Sequence, residues 1–499
     1  MLAFCFVAVA GLTVLRGVFA VTIDLRVDEA YYWTWSKESV ISYLDHPPMI
    51  AWCVRFGTLL FGDTNFGVRF PGLLAMLLMQ VLLADIVWRT LRDVRYVVLV
   101  VLLPEASLDY GLLMAKVAPD IALIPLELAM VWSLVRLTQS GNQRWWLAAG
   151  LFGGFALLTK YTAILLLPAV VAFAIVPDWR KKQLSSPQPW LAAGLACLIF
   201  SPVLYWNAVH DGASFRFQLD RPAQFSGWSA RFLADFVGQQ FALVGMLLLP
   251  IALTGALMLA RRGYRGRDPL SILLSTAVIF PLGFFIWHGF SSRIGDSWPL
   301  FVWPLAFACA AINLKQWRQE APASSMAQIA PALTGVAIFS GMAFVIATLL
   351  YYIGGTANYL DRNDPIGKEA GFAGVVAAAE QARTHVGATW FATTDYRMYS
   401  MLRWHLRDAV PVVQINERSR YIGFSPPALD GPVGLYVAPS DKSYAALWKK
   451  TSAVLQPVGE ADLVWRGVRY DTYAFQKLMD WKPKLAPPAG DDFYAASPN

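Results

Sequence analysis

Charged residues and cysteines are both scarce in this sequence. Only 15% of the 499 residues are Asp, Glu, Lys or Arg and 57% are hydrophobic, whereas a soluble globular protein is about a quarter charged. This shortage of charge excludes a chain that is soluble throughout. The four cysteines are too scattered to form a metal-type pair, and none follows residue 352, so we expect the C-terminal part to fold without a disulfide.

The apolar residues collect in stretches of about 20, which is the length a helix needs to cross a bilayer of roughly 30 Å. A single buried core could not use so many of them, because cores stop growing near about 250–300 residues. We predict a polytopic α-helical membrane protein with about eleven spans, at 2–23, 67–88, 96–106, 119–135, 145–159, 161–176, 189–205, 232–260, 270–288, 298–313 and 327–352.

Short loops rich in Lys and Arg follow every second predicted span, as at Arg89, Arg92 and Arg95. Such loops stay on the cytoplasmic side of a membrane. The opposite loops are therefore predicted to be external, at 24–66, 107–118, 206–231, 289–297 and 353–499. The formal net charge of +7 is largely explained by these basic loops, so we expect no nucleic-acid partner.

Residues 353–499 have the composition of a soluble domain, whereas 1–352 form the predicted transmembrane domain. Strand and helix patterns alternate there, which predicts a small α/β layer domain. We predict helices at 372–384, 396–406 and 444–451, strands at 388–393, 410–415, 433–437 and 470–475, and a loose tail at 482–499.

The predicted external loop 24–66 carries two adjacent carboxylates, Asp28 and Glu29, followed by Tyr31, Tyr32 and Trp33. Composition alone allows a plain interpretation, an aromatic belt at the membrane surface with solvated acids. Ionisable groups at membrane depth are costly, however, and usually have a function.

The amino-acid sequence of this loop contains two specific motifs. The run from Asp28 to Trp35, DEAYYWTW, is followed by YLDHPPM from Tyr43 to Met49. Together they resemble the first periplasmic loop of bacterial GT-C glycosyltransferases, the relatives of protein O-mannosyltransferases and of the lipid A aminoarabinose transferase. His46 before Pro-Pro is most similar to the rhizobial-type lipopolysaccharide core and lipid A glycosyltransferases.

Weaker matches to the same family follow along the chain. They are Pro119-Asp120, Leu158-Thr159-Lys160-Tyr161, Trp206-Asn207 with Arg216 and Arg221, and Arg293 with Asp296-Ser297-Trp298-Pro299. Each also has a plain structural interpretation: Asp120 suits a helix start, Lys160 could extend towards the membrane surface, and the other loops could rest on headgroups.

The resemblance implies a glycosyltransferase of the bacterial inner membrane that uses a polyprenyl-phosphate sugar on the periplasmic face. Its acceptor would be lipid A, lipopolysaccharide core or another envelope glycan. A phosphate leaving group needs little protonation, so the reaction needs a base more than an acid. We predict Asp28 as the base of an inverting displacement, with Glu29 or Asp120 orienting the acceptor.

The same resemblance assigns the remaining site residues. Basic side chains would hold the donor phosphate by charge-assisted hydrogen bonds, and the loop aromatics with one acid would contact sugar or acceptor. The predicted phosphate-binding residues are His46, Lys160, Arg216, Arg221 and Arg293, and the predicted acceptor or sugar contacts are Tyr31, Tyr32, Trp33 and Asp45.

Two alternatives and one cofactor stay open at this point. A transporter or flippase for lipid-linked saccharides would also need membrane charges, although no inverted repeat is visible; a scaffold would work through the α/β domain alone. The sequence contains no Gly-rich phosphate loop, and its predicted soluble domain contains no Asp-x-Asp motif. Both absences argue against a nucleotide sugar as the donor. Asp28, Glu29 and Asp120 are hard oxygen ligands that could recruit Mg²⁺ or Mn²⁺.

Overall fold

The computed structural model of the chain is mostly α-helical, with one β-sheet in its C-terminal part. It describes residues 1–223, 230–355, 358–442, 444, 448 and 453–481. The predicted helix at 444–451 falls largely outside these residues, and the predicted tail at 482–499 falls wholly outside them.

The helices follow the apolar stretches of the sequence. In chain order, the α-helices of the described residues are α1 (Leu2–Thr22), α2 (Val27–Ser36), α3 (Met49–Phe61), α4 (Asn65–Leu91), α5 (Val94–Glu105), α6 (Leu108–Leu112), α7 (Asp120–Ser140), α8 (Trp145–Leu157), α9 (Leu167–Ala174), α10 (Pro177–Leu184), α11 (Gln188–Val209), α12 (Ala213–Ala223), α13 (Ala230–Val244), α14 (Leu248–Gly266), α15 (Pro269–Gly289), α16 (Trp303–Glu320), α17 (Ser325–Gly354), α18 (Phe372–His385) and α19 (Tyr396–Leu406).

Several helices are long and apolar enough to cross a membrane. In the part of the chain that is described there are six, in α1, α4, α7, α11, α15 and α17. Two further pairs of helices, 161–174 with α10 and α13 with α14, qualify only if each pair counts as one span bent by 104°. The chain is therefore a polytopic membrane protein, as predicted.

Within the described residues, six helices, or eight if each bent pair counts as one span, are long and apolar enough to cross a membrane, fewer than the eleven spans predicted. Every predicted span contains helix, but α5 and α8 have only 12 and 13 residues, too short for the roughly 20 that a crossing needs. The predicted span 298–313 corresponds to α16, which ends in a segment containing Lys315, Arg318 and Glu320.

The described chain forms two compact units, which we name the membrane unit and the loop–sheet unit. The membrane unit consists of Met1–Ala20, His46–Ile50 and Arg69–Tyr352. The loop–sheet unit consists of Val21–Asp45, Ala51–Val68 and Ile353–Asn499. Most of the predicted external loop thus belongs to the same unit as the C-terminal sheet, and the domain boundary predicted after residue 352 stays a prediction.

A buried polar cluster joins four helices inside the membrane unit, α1, α4, α5 and α6. Arg16 of α1 donates from Nη2 to Glu105 Oε2 at 2.5 Å and from Nε to the Gly111 carbonyl at 2.9 Å. Gln80 of α4 also donates to the Glu105 carboxylate. Because a lone charge is costly at membrane depth, this pairing fixes α1 against its neighbours.

The loop–sheet unit is built on a five-stranded sheet. Its strands are β1 (Trp390–Thr393), β2 (Val412–Gln414), β3 (Gly434–Pro439), β4 (Val454–Trp465) and β5 (Val468–Met479), in the order β2-β1-β3-β5-β4. The strand β1 runs parallel to β2 and β3, whereas β5 runs antiparallel to β3 and β4. All four residues of β1 are buried, as expected for a central strand covered on both faces.

The helix α18 precedes β1 and the helix α19 follows it. Of these, α19 begins at the predicted residue and α18 extends one residue beyond its prediction. The predicted strands at 388–393, 410–415, 433–437 and 470–475 all overlap observed strands, and β4 was not predicted. The predicted α/β layer architecture is therefore present.

Candidate active site

The predicted site residues divide between the two units. The loop–sheet unit contains Asp28, Glu29, Tyr31, Tyr32, Trp33 and Asp45, and the membrane unit contains His46, Asp120, Lys160, Arg216, Arg221 and Arg293.

Glu29 has a structural task at the start of α2. Its side chain is fully buried, and its Oε2 accepts a hydrogen bond from the backbone N–H of Arg26 at 2.8 Å. Arg26 is the residue before the helix, and its N–H has no partner within the helix. Glu29 therefore caps α2 from its third position, and its predicted role towards an acceptor stays a prediction.

The side chain of Asp28 lies in a different environment from that of Glu29. Its side chain is exposed to solvent, and its Oδ1 accepts a hydrogen bond from the Tyr396 hydroxyl at 3.4 Å. Desolvation by the surrounding protein is the largest cause that raises the pKa of Asp28, to about 6, and the negative charge of Glu369 raises it further. A solvent-accessible carboxyl with a pKa near neutrality is suited to accept a proton.

Asp45 is the centre of a hydrogen-bonded group within the loop–sheet unit. Its two oxygens accept from the Tyr31 hydroxyl and from Arg420 Nη1, each at 2.7 Å. The Arg420 guanidinium also lies 4.8 Å from the centre of the Tyr396 ring. Both Asp45 and Tyr31 are buried, so this group fixes the loop to the C-terminal segment.

Tyr32 and Trp33 are packed inside the same unit. Trp33 donates from Nε1 to Asp63 Oδ1 at 2.8 Å and meets the Trp404 ring edge-on at 5.2 Å. The Tyr32 ring meets Trp35 edge-on. The structure gives both aromatics packing roles, and their predicted contacts with sugar or acceptor stay predictions.

Asp120 and Lys160 form a buried ion pair in the membrane unit. Asp120 is the first residue of α7, and the Lys160 Nζ lies 3.0 and 3.1 Å from its two carboxylate oxygens. Asp120 is 1% exposed and Lys160 is 7% exposed. Asp120 thus offsets most of the charge that Lys160 would present to a phosphate.

His46 is held close to the Lys160 segment through its own chain. Three residues later, the Met49 N–H donates to the Leu158 carbonyl at 3.0 Å. The His46 side chain is half-buried. The two predicted phosphate-binding segments, at His46 and at Lys160, are therefore brought together.

A third predicted segment is attached to this pair. Asn207 Oδ1 accepts from the Ser214 N–H at 3.1 Å at the start of α12, and Ser214 Oγ is hydrogen-bonded to the Tyr161 hydroxyl at 2.7 Å. Arg216 follows on α12 with an exposed side chain. The Arg221 side chain lies outside the described residues.

Arg293 lines a cavity of about 440 Å³ within the membrane unit, with Gln239 and Asp296 among its other lining residues. Gln239 Oε1 is buried and has no hydrogen-bond partner among the described residues. No ion pair or side-chain hydrogen bond of Arg293 or Arg216 occurs in the described part of the chain. Both guanidiniums are therefore available to a phosphate.

The described residues contain no cluster of side chains that could hold a metal ion. No group of three or more His, Cys, Asp or Glu side chains within those ranges is arranged to hold an ion. The predicted recruitment of Mg²⁺ or Mn²⁺ by Asp28, Glu29 and Asp120 thus stays an expectation.

Several polar residues of these clusters were not predicted to have a role. Asp109 and Glu127 are buried in the membrane unit, and their carboxylate oxygens have no hydrogen-bond partner among the described residues. Sequence could have identified them as acids within apolar segments. Glu369 and Arg420 gave no such signal, because they are ordinary charged residues of the C-terminal segment.

Asp364 holds a turn in the C-terminal segment. Asp364 Oδ1 accepts from the backbone N–H groups of Ile366 and Gly367, at 2.8 and 3.2 Å. This turn leads to Glu369, whose Oε1 accepts from Arg26 Nη2 at 2.7 Å.

Known proteins share both the sequence pattern and the fold. Residues 45–206 match a family model described as dolichyl-phosphate-mannose-protein mannosyltransferase. The crystal structure of ArnT from Cupriavidus metallidurans in the apo state superposes with a TM-score of 0.65 at 15% identity, covering 97% of this chain and 99% of that one. The chain is therefore similar to that family over residues 45–206 and has the fold of the ArnT structure. The predicted resemblance and the GT-C fold class are thereby confirmed.

Curated relatives have similar sequences over about half their length. The lipid A galacturonosyltransferase RgtD of Rhizobium johnstonii is 27% identical over 51% of this chain and 54% of its own. The undecaprenyl phosphate-alpha-4-amino-4-deoxy-L-arabinose arabinosyl transferase 2 of Proteus mirabilis is 27% identical over 65% of this chain and 60% of its own. The chain thus spans less than two thirds of the length of each.

Proposed function

We propose that this protein is an integral membrane glycosyltransferase that moves a sugar from a polyprenyl-phosphate donor to lipid A or another envelope acceptor. The observation that carries the proposal is Asp28, an exposed carboxyl with a pKa of about 6 at the start of the DEAYYWTW motif that resembles the GT-C glycosyltransferases. The names of the relatives support the donor and acceptor classes, and one ArnT structure contains undecaprenyl phosphate. The proposed location is the periplasmic face of the bacterial inner membrane.

In the proposed reaction, Asp28 accepts the proton of the acceptor hydroxyl. The hydroxyl oxygen forms a bond to the anomeric carbon as the bond from that carbon to the phosphate oxygen breaks. The electron pair leaves with the polyprenyl phosphate, and the single displacement inverts the anomeric centre. General-base help of this kind contributes about 10²–10⁴-fold.

The donor phosphate is assigned to basic residues of the membrane unit. Arg216 and Arg293 are the stronger candidates, because neither guanidinium is paired within the described residues. Lys160 is neutralised by Asp120, so it contributes less attraction. Guanidinium groups also match the geometry of phosphate oxygens better than a point charge does.

The test is a membrane assay with radiolabelled polyprenyl-phosphate sugars and lipid A. Asp28→Asn is expected to lower transfer by about 10²–10⁴-fold, because the amide cannot accept the proton. Asp24→Asn, four residues earlier in the same loop, is the matched control and should keep wild-type transfer. Equal transfer by both variants would disprove the base assignment, and transfer from a nucleotide sugar alone would disprove the donor assignment.

A further inference from the structure

Within the loop–sheet unit, the segment that carries Asp28 is tied to the C-terminal segment by side chains. The bridging pairs are Arg26 with Glu369 at 2.7 Å, Asp28 with Tyr396 at 3.4 Å, Glu38 with Arg403 at 3.4 Å and Asp45 with Arg420 at 2.7 Å. Residues more than 340 positions away in sequence therefore determine the conformation of the loop.

Tyr396 is the bridging residue that touches Asp28, and it is itself firmly placed. It is the first residue of α19, whose N-cap Asp395 accepts from the Arg397 N–H. The backbone N–H of Tyr396 donates to Glu417 Oε2 at 3.1 Å. The start of the helix is thus fixed by two carboxylates.

The ring of Tyr396 is held as well as its backbone. Tyr31 meets it edge-on with ring centres 5.4 Å apart, and the Arg420 guanidinium lies 4.8 Å from its ring centre. Asp45 accepts from both Tyr31 and Arg420. Such contacts restrict the ring and so aim its hydroxyl at one place.

We propose that Tyr396 is a positioning residue for the transfer reaction: its hydroxyl holds Oδ1 of Asp28 and leaves Oδ2 to accept the proton of the acceptor. The inference rests on the proposed role of Asp28 as the base. It assigns to the C-terminal domain a direct part in the chemistry, through a residue that touches the base.

The charges around Asp28 determine how the loss of the hydroxyl should be observed. Glu369 and Asp45 disfavour the carboxylate, whereas Arg26 and the hydrogen bond from Tyr396 favour it. Removing the hydroxyl therefore raises the pKa of Asp28 above its value of about 6. The acidic limb of the pH–rate profile then moves to higher pH, a change that a merely structural residue would not cause.

The experiment compares Tyr396→Phe with Tyr436→Phe in the full-length protein. Tyr436 lies on β3 in the same unit, and its hydroxyl is hydrogen-bonded to Thr394 at 2.9 Å. Tyr396→Phe is expected to lower kcat about tenfold with KM unchanged, and to move the acidic limb up by as much as about one pH unit. Tyr436→Phe should leave both unchanged. Tyr396→Met, which also lacks the hydroxyl, should shift the limb as Tyr396→Phe does.

A second readout separates this inference from the proposed function. The ionisation of Asp28 is followed by infrared titration, as the difference between each protein and its Asp28→Asn counterpart. If Asp28→Asn still transfers sugar but Tyr396→Phe shifts the carboxyl titration, the base assignment is wrong and the contact holds. If Asp28→Asn abolishes transfer while Tyr396→Phe retains both the wild-type profile and titration, the positioning role is overturned.

Discussion

Adjacent carboxylates at the start of α2 have different environments. Glu29 is buried and caps its helix through the Arg26 N–H, whereas Asp28 faces solvent and the Tyr396 hydroxyl. The surroundings of the two acids thus differ although they are adjacent in sequence, as they do in enzymes that use paired carboxylates. The cap stabilises the helix that carries the proposed base.

The pKa of Asp28 predicts how transfer depends on pH. A base acts in its ionised form, and desolvation by the surrounding protein raises the pKa of this carboxyl from 3.8 to about 6. Activity should therefore fall as the pH is lowered through about 6, rather than near the ordinary value for Asp. The measurement is kcat/KM between about pH 5 and about pH 8, because this ratio reports ionisation of the free enzyme. A flat profile over this range would contradict the prediction.

At the scale of the element, the Asp45–Arg420 bridge is expected to hold the loop in place. Arg420→Met keeps the apolar part of the side chain but leaves the buried Asp45 without its charged donor. The expected loss of stability is about 1.5–3 kcal/mol, measured as a lower unfolding midpoint in detergent together with faster proteolysis of the loop.

The control for this change is Arg95→Met. Arg95 pairs with Asp93, but its side chain is 65% exposed, and an exposed pair contributes less than about 1 kcal/mol. If both variants lowered the midpoint equally, the bridge would have no special structural role.

The Asp120–Lys160 pair predicts a second effect at this scale. Lys160→Met leaves a buried carboxylate uncompensated, which costs about 3–5 kcal/mol. Adding Asp120→Asn removes the remaining charge and should recover much of the folded yield, measured as the monodisperse fraction on size-exclusion chromatography. A double variant no better than the single one would show that the pair does not stabilise the fold.

The elements themselves were predictable where local pattern decided them. The predicted bounds of α19 agree because an N-capping Asp395 precedes an amphipathic helix. The strand β4 was missed because it is an edge strand with Pro457, Gly459 and Glu460, which have poor strand propensity. The predicted span 232–260 proved to be two helices because the chain turns near Gly245, where φ is +121°, a conformation that hydropathy does not reveal.

The site was predictable only in part, because several of its contacts join residues that are far apart in the sequence. Asp28 lies within a compact and specific motif, so a short segment of sequence was enough to identify it. Its partner Tyr396 lies 368 residues away, and Arg420 lies 375 residues from Asp45. Contacts over such separations depend on the whole fold, and one sequence without homologues carries no signal for them.

At the scale of the whole molecule, the alternation of basic loops predicts the orientation in the membrane. Single cysteines placed at Arg92, Arg180 and Arg265 should react with a membrane-impermeant maleimide only after the cells are opened. Cysteines placed at Lys37 and Arg469, both in the loop–sheet unit, should react in the periplasm of intact cells. These expectations follow from the preference for Lys and Arg in cytoplasmic loops.

The labelling experiment requires a starting protein in which two natural cysteines have been replaced. Cys197 is exposed and Cys53 is partly exposed, so both would be replaced by serine or alanine before new cysteines are added. Cytoplasmic labelling of Lys37 would place Asp28 on the wrong side of the membrane for a periplasmic reaction.

The chain alternates between its two units, and this alternation limits which segments can be exchanged with those of a relative. The chain passes between them after residues 20, 45, 50, 68 and 352, so the C-terminal sheet is not a cassette that recombination could exchange at one junction. A chimera that took residues 353–499 from a relative would join a foreign Tyr396 and Arg420 to the resident Asp28 and Asp45. Functional hybrids should therefore require segments 21–45 and 51–68 to be inherited together with the C-terminal region.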